Sequence, residues 1–213
     1  MKLVVVSAGL SVPSSTRLLA DRLAVAAQRQ APAEAPAEVR VVELRELAVD
    51  IAHNFTGGFA GRELSAALDA VTEADGLIVV TPVFAASYSG LFKSFFDVID
   101  PEALAGKPVL IAATGGTARH SLVLEHALRP LFAYLKAVVV PTGVYAASED
   151  WGAEGLDERV ERAAGELVRL MTGLSLGRPA RAEVSSGTSA AAVFDGAEVV
   201  PFEQQLAALR PAG

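Results

Sequence analysis

A hydroxyl-rich loop near the start of the chain constrains the fold more than any other feature. The apolar run at residues 3–6 is typical of a buried strand, and apolar residues recur at helical spacing after Thr16. Between these segments lie Ser11, Ser14 and Ser15. A helix start presents unpaired backbone N–H groups and a partial positive charge. The sequence therefore predicts a strand–loop–helix unit whose loop can bind a phosphate.

Two phosphate-binding motifs are absent from the sequence, and their absence indicates which kind of phosphate the loop can bind. G-x-x-x-x-G-K-[ST], which serves triphosphates, is absent, and so is G-x-G-x-x-G, which serves dinucleotide pyrophosphates. A loop of neutral hydroxyls suits a monophosphate such as that of FMN. The alternative is a plain serine or threonine N-cap on the first helix, and the loop alone leaves both interpretations open.

Composition excludes several other classes of protein. A length of 213 residues is typical of one domain with a large core. The absence of cysteine excludes disulfides, thiol catalysis and cysteine-ligated metals, and it is typical of a cytoplasmic protein. A net charge of −7 argues against a nucleic-acid surface, and no apolar run reaches the roughly 18 residues of a membrane span. The three histidines have no metal-ligand spacing.

Apolar runs alternate with amphipathic segments along the chain. Strands are predicted over residues 3–6, 39–44, 76–81, 109–113 and 137–141, and helices over residues 16–28, 62–72, 89–98, 121–135 and 156–170. Residues 52–61 are predicted to form a loop. The alternation indicates an α/β fold with a doubly wound parallel sheet. One domain is expected over residues 1–172. The remainder, 173–213, is expected to be a partly flexible tail whose apolar segment at 199–206 docks on another surface.

Two further loops follow predicted strands at the carboxyl edge of the sheet, where ligands of doubly wound folds bind. Pro82 and small residues follow the third strand, and the turn Gly115–Gly116 follows the fourth. A glycine turn exposes successive N–H groups, which a flavin needs near N1 and O2. Each loop alone has an ordinary turn as its alternative, but three such loops at one edge favour a flavin site.

These loops carry a family resemblance. The segment T-P-V-F-A-A-S-Y-S-G-L-F-K at residues 81–93 resembles T-P-V-Y-x-A-x-Y-S-G-x-x-K of the flavodoxin-like NAD(P)H-dependent FMN reductases. The segment A-T-G-G-T at residues 113–117, with His120 and A-L-R-P at 127–130, is similar to their A-T-G-G-T-x-x-H and A-L-[KR]-P. The resemblance covers roughly residues 1–150 and is strongest to reductases paired with two-component sulfonate and luciferase-like monooxygenases.

The resemblance implies a five-stranded sheet of order 2-1-3-4-5 and hydride transfer from NADPH or NADH to FMN, supplying reduced flavin to a monooxygenase. Hydride transfer requires no acid or base, so no catalytic side chain and no metal are assigned. A homodimer or homotetramer is expected. The predicted flavin-binding residues are Ser11, Ser14, Thr16, Arg17, Pro82, Val83, Phe84, Ala85, Thr114, Gly115, Gly116 and Thr117.

In the first loop, Ser11 stands where the family carries an arginine, and Arg17 is the candidate to replace it. Elsewhere, Tyr88 is expected either at a dimer interface or packed locally, and Lys93 is expected to pair with Asp97. His126 stands where sulfonate-system relatives have an inserted tyrosine. It is expected either in a π-type widening near a subunit interface or on a regular helix facing solvent.

Two other functions remain open from the sequence. A reductase that keeps FMN bound and reduces quinones, azo compounds or metal oxyanions needs the same flavin site. A flavodoxin-type electron carrier is disfavoured, because only 6% of the residues are aromatic and the predicted ring loops are small.

Overall fold

The computed structural model describes residues 1–153 and 155–177. The strands are β1 (Lys2–Ser7), β2 (Glu38–Glu43), β3 (Gly76–Phe84), β4 (Ser87–Tyr88), β5 (Pro108–Gly115), β6 (Val138–Val139) and β7 (Val144–Ala147). The α-helices are α1 (Ser15–Gln30), α2 (Ala48–Gly57), α3 (Arg62–Glu73), α4 (Gly90–Asp97), α5 (Arg129–Tyr134) and α6 (Leu156–Gly177), and a π-helix at Leu124–Leu128 precedes α5.

The sheet is parallel along its main path and runs β2-β1-β3-β5-β6, with β7 also paired to β5. The short β4 is antiparallel to the end of β3. Without that hairpin strand, the order is the predicted 2-1-3-4-5. The order reverses between β1 and β3, so the carboxyl ends of these strands flank the cleft where a doubly wound fold binds its ligand.

Helices cover both faces of the sheet, as the two-sided apolar strands require. Val4 and Val6 of β1 belong to a core cluster with α3, α4 and α5, whereas Leu3 and Val5 belong to the opposite cluster with α1 and α6. The phenylalanines of α4 lie fully inside the first cluster. Their apolar surface is therefore covered within this chain.

The expectation of a loop at residues 52–61 is wrong over most of its length, because α2 continues through Gly57. Ile51 is buried and anchors this helix to the core. The helix ends at Gly58, whose φ of 76° allows its N–H to donate to the carbonyl of Asn54. The glycine pair marks the helix end and not the middle of a loop.

The fifth strand position is divided between two short strands, where the sequence predicted one strand over residues 137–141. β6 pairs with the start of β5, and β7 pairs with its end. The turn between them is held from two helices: Arg129 donates to the carbonyls of Val140 and Pro141, and the carboxylate of Glu166 accepts from the N–H and hydroxyl of Thr142.

The last helix, α6, continues through Gly177, five residues beyond the predicted domain boundary at residue 172. The expectation about an apolar docking segment at 199–206 lies outside the described residues. None of the helices in the described part of the chain is long and apolar enough to cross a membrane.

Candidate functional site

A cavity of about 510 Å³ lies at the carboxyl edge of the sheet, between the start of α1 and the ends of β3 and β5. This volume is within the range of small-molecule and cofactor sites. Its walls are formed by Leu10, Ser11, Ser14, Ser15, Thr16, Pro82, Val83, Phe84, Thr114, Gly115, Gly116, Ser148 and Trp151. The three loops singled out from the sequence thus meet around one space.

A second depression of about 570 Å³ lies between α1 and α6. Charged side chains of the two helices pair across it: Arg22 with Asp157 and Arg29 with Glu161. Since these charges already satisfy one another, this depression is a helix–helix contact and offers no free group for a ligand.

At the α1 end of the cavity, Ser14 is the N-cap of the helix. Its Oγ accepts a hydrogen bond from the N–H of Arg17 at 3.2 Å. Gly9 makes this position possible, because a Cβ at residue 9 would overlap the Ser14 hydroxyl. Among the described residues, no acceptor meets the backbone N–H groups of Ser15 and Thr16. Two backbone donors and the hydroxyls of this loop are therefore open to an anion.

Thr16 links this end of the cavity to β5. Its buried Oγ1 lies 2.8 Å from Oγ1 of Thr114, which is also buried. A hydrogen bond between two buried hydroxyls fixes both rotamers, because each oxygen has few other partners. The helix start and the end of β5 are consequently held at a set distance.

Nearby, Ser7 ends β1 with a fully buried hydroxyl. It is the buried side-chain oxygen for which the described residues supply no hydrogen-bond partner. Buried polar groups of this kind are normally met by a water or a ligand atom. The end of β1 therefore has a polar group that the described residues leave unsatisfied.

At the ring end, β3 runs beyond its predicted end and turns back through Ala85 and Ala86 into β4. Both alanines have positive φ, 47° and 64°. Non-glycine residues avoid this region at a cost of about 1–2 kcal/mol each, so the hairpin is strained. The hairpin base is pinned by Thr81, whose Oγ1 accepts from the N–H of Ser89 at 3.0 Å. Ala85 lies at the rim of the cavity and not in its wall.

The turn after β5 forms the opposite wall. Gly115 and Gly116 line the cavity, and a Cβ at Gly116 would meet nothing within 4 Å. No acceptor among the described residues meets the N–H groups of Gly116 and Thr117. Thr117 itself lies just beyond the wall, and its carbonyl accepts a hydrogen bond from Tyr145 at 2.7 Å. This turn thus presents free backbone donors on an open face.

The position of Arg17 differs from the sequence-based expectation. Its guanidinium pairs with Glu43 and Asp21 and lies outside the cavity wall. The hydrogen bonds that Arg17 donates, to Glu43 as the larger cause and to Asp21 as the second, raise the pKa of Arg17 above its ordinary value. Because its Nε and Nη1 donate to two carboxylates, the guanidinium is directed away from the cavity wall in this structure.

Neither Tyr145 nor Trp151 is among the site residues predicted from the sequence. Trp151 lines the cavity, and the guanidinium of Arg22 lies 5.2 Å from its ring centroid. Tyr145 is buried on β7, and burial followed by the charges of Asp150 and Glu149 raises the pKa of its hydroxyl. Tyr145 lies within β7 and Trp151 follows it, so a prediction of β7 would have placed both near the edge of the site.

The structure also gives the positions of the other residues that the sequence singled out. Lys93 pairs with Asp97 as expected. The ring of Tyr88 lies 6.0 Å from that of Phe92, which is the local packing alternative. His120 is exposed at the end of a short turn of helix. His126 lies within a π-helix, as one of its two alternatives predicted, and its side chain is exposed, as the other predicted.

Comparison with known proteins gives this geometry its family. The family model described as NADPH-dependent FMN reductase matches residues 1–152. The chain belongs to this family. It is similar to an FMN reductase (NADPH) of Pseudomonas aeruginosa, with 41% identity over 179 residues that cover 82% of this chain and 94% of the relative. It is also similar to the NADH-dependent FMN reductase SfnF of Pseudomonas fluorescens, with 40% identity and coverage of 77% and 88%.

Solved structures agree with this assignment. An oxidoreductase from Corynebacterium diphtheriae shares 49% identity with a TM-score of 0.78, over 81% of this chain and 97% of that one. A flavodoxin, WrbA-like protein from Agrobacterium tumefaciens matches at 17% identity and a TM-score of 0.58, over 81% and 97%, which shows the fold alone. The predicted flavodoxin-like fold is thereby confirmed. So are the predicted flavin reductase activity and its two cofactors, FMN and a nicotinamide nucleotide.

Proposed function

We propose that the cavity at the sheet edge is where this reductase binds FMN. The phosphate lies at the start of α1 with Ser11, Ser14 and Thr16, and the ring lies against Pro82, Val83 and Phe84. The pyrimidine edge faces Gly115 and Gly116, and Thr114 holds the wall behind them. Thr117 contributes through its backbone N–H and Ala85 through the rim, while Arg17 stays with its carboxylates.

The observation that carries this placement is the pair of unpaired donor sets at the two ends of one cavity. N–H groups at a helix start suit a phosphate, and N–H groups in a glycine turn suit the edge of the ring where negative charge accumulates on reduction. No lysine or arginine of the described residues lines the hydroxyl-rich end, which fits a phosphate held by helix charge and neutral donors.

When bound, FMN supplies a ring that accepts a hydride from the nicotinamide. The chain's own residues then have three tasks. They bind the two nucleotides, they hold the two rings face to face, and they present donors to the pyrimidine edge. No side chain is required to move a proton, so the catalytic contribution of this chain is orientation and electrostatic stabilisation.

Anaerobic stopped-flow measurement with NADH and NADPH, each with and without added FMN, tests this function. We expect nicotinamide oxidation to require FMN and to saturate with it. The relatives differ in the nucleotide that they use, so the ratio of kcat/KM for NADPH and NADH decides the preference of this enzyme. Turnover with quinone at full rate, with FMN retained through many cycles, would instead indicate a quinone-type reductase.

We further propose that the reduced FMN is passed to a flavin-dependent monooxygenase and that the protein works in the cytoplasm. The resemblance to reductases of two-component systems supports this partner, and an open cavity suits a flavin that leaves after reduction. The rim residue Phe84 is exposed, consistent with such an opening. A monooxygenase assay with this reductase as the sole source of reduced FMN tests the transfer.

A homodimer or homotetramer is the expected assembly. The support comes from exposed apolar side chains: Leu122 ahead of the π-helix, Val138 of β6, and Phe55 and Phe59 near the end of α2. Light scattering at micromolar concentration is expected to give a mass of two or four chains. A mass of about 22 kDa, that of one chain, would contradict the assembly.

A further inference from the structure

The hydroxyl of Tyr145 holds the glycine turn without touching the cavity. Tyr145 lies on β7, level with Ala113 of β5, and its side chain packs in the core cluster shared with α4 and α5. From there its Oη donates to the carbonyl of Thr117 at 2.7 Å. The ring is not part of the cavity wall. Its only polar contact among the described residues is therefore with the backbone of the turn.

Gly115 leaves room for the Tyr145 hydroxyl because it has no side chain. A Cβ at residue 115 would overlap Oη of Tyr145, while Cζ would lie 3.2 Å away, a distance a slight shift can absorb. The absence of a side chain at Gly115 thus lets the tyrosine oxygen pass the strand end and reach the carbonyl two residues later. Gly116, whose Cβ position is open, has no such packing reason.

The hydrogen bond fixes the direction of the last peptide group of the turn. A trans peptide points its C=O and N–H in opposite directions, so anchoring the Thr117 carbonyl towards β7 orients the peptide plane between Thr117 and Ala118, to which the preceding peptide of the turn is joined. The N–H groups of Gly116 and Thr117, which meet no acceptor in the described chain, lie immediately before this anchor. The far end of β7 is also held, because the N–H of Ala147 donates to Asp150 at 2.8 Å.

We propose that Tyr145 is a positioning residue for the flavin: it orients the Gly115–Thr117 turn so that its N–H groups meet the pyrimidine edge. This role rests on the proposed FMN site. It predicts a preference for reduced over oxidised FMN, because those donors face the edge where negative charge accumulates on reduction. A donor in this place stabilises the reduced form more than the oxidised form.

The test is Tyr145→Phe, which removes one oxygen and keeps the packing ring. Tyr134→Phe is the matched control, because Tyr134 is 76% exposed and its loss of hydroxyl is chemically identical. We expect Tyr145→Phe to bind oxidised FMN roughly threefold and reduced FMN roughly tenfold more weakly, in line with the loss of one hydrogen bond. The difference, a factor of roughly 3.3, lowers the midpoint potential of bound FMN by ~15 mV for a two-electron couple. Tyr134→Phe is expected to match the wild type.

A second variant pair tests the fit between Gly115 and the hydroxyl. Gly115→Ala alone is expected to weaken FMN binding strongly, since its methyl group displaces either the turn or Tyr145. Combining it with Tyr145→Phe removes the overlapping oxygen and is expected to recover part of the lost affinity. Independent, multiplicative losses in the double variant would overturn the proposed fit.

The outcomes separate this role from its alternatives. The role would be overturned if Tyr145→Phe bound oxidised FMN and reduced FMN each with the same affinity as the wild type. A lower Tm with unchanged potential and affinity would also overturn it, because a purely structural hydrogen bond predicts that result. FMN binding that is insensitive to Ser14→Asp, at the other end of the cavity, would show instead that the proposed site itself is wrong.

Discussion

At the α1 end of the cavity the donors belong to a helix start and to side-chain hydroxyls, whereas at the β5 end they belong to the backbone of a glycine turn. The first end is assembled within one stretch of sequence, since the cap of Ser14 and the close approach at Gly9 are local. The second end depends on β7, a strand about thirty residues away, through the Tyr145 hydrogen bond. Local chemistry shapes the proposed phosphate end, and tertiary packing shapes the proposed ring end.

This difference explains where each end is expected to be sensitive. Neutral donors and a helix dipole tolerate small side-chain changes but not a negative charge. A backbone turn is insensitive to surface charge but responds to any change in what packs behind it. The strained Ala85–Ala86 hairpin belongs to the same packed end, because its conformation is maintained by its pairing and by Thr81.

The largest effect is expected for Ser14→Asp. Aspartate is as good an N-cap as serine, so the helix is retained while a carboxylate faces the phosphate. Two unit charges about 4 Å apart repel by about 4 kcal/mol at an effective dielectric constant near 20, so FMN affinity is expected to fall at least about a hundredfold. Fluorescence titration measures this, and Ser14→Asn serves as the uncharged control.

Riboflavin gives the same variant a second control, because it lacks the phosphate. We expect Ser14→Asp to bind riboflavin as the wild type does. An equal loss for riboflavin and FMN would mean that the substitution disturbs the ring end, and the separation of the two ends would then fail.

An intermediate effect, on thermal stability, is expected for Thr16→Val. This substitution removes the hydrogen bond that joins the start of α1 to the end of β5. The buried Thr114 hydroxyl loses its partner at 2.8 Å, which costs about 1–3 kcal/mol. In a chain of this size the Tm is expected to fall by roughly 3–8 °C. The double variant Thr16→Val, Thr114→Val leaves no orphaned hydroxyl and is expected to recover part of this loss. Strictly additive Tm changes would show that the two hydroxyls are not coupled.

The smallest effect on FMN is expected for Arg17→Gln. The guanidinium is engaged by Glu43 and Asp21, so FMN affinity is expected to change by less than about twofold. Stability is expected to fall modestly, because the half-buried Glu43 loses its partner, and Arg17→Gln with Glu43→Gln is expected to restore it. A tenfold loss of FMN affinity, with riboflavin affinity intact, would return Arg17 to the phosphate.

The difference between the local α1 end and the tertiary β5 end also explains what could be predicted from the sequence. The α1 end was predictable, because its loop, N-cap and helix are formed by consecutive residues. The Gly115–Gly116 turn was recognisable as a motif, but its anchor Tyr145 was not, since β7 is only four residues long and lies beyond the predicted strand at residues 137–141. The contact between Arg17 and Glu43 was not predictable for a related reason: Glu43 lies on the neighbouring strand β2, and local sequence does not reveal that contact.

The crystal structure of the FMN complex is the measurement that tests the central claim most directly. We expect the phosphate to accept hydrogen bonds from the N–H groups of Ser15 and Thr16 and from the Ser11 hydroxyl. The pyrimidine edge is expected to lie within hydrogen-bond distance of the Gly116 and Thr117 N–H groups. A flavin bound in the reverse orientation, or outside this cavity, would contradict the account.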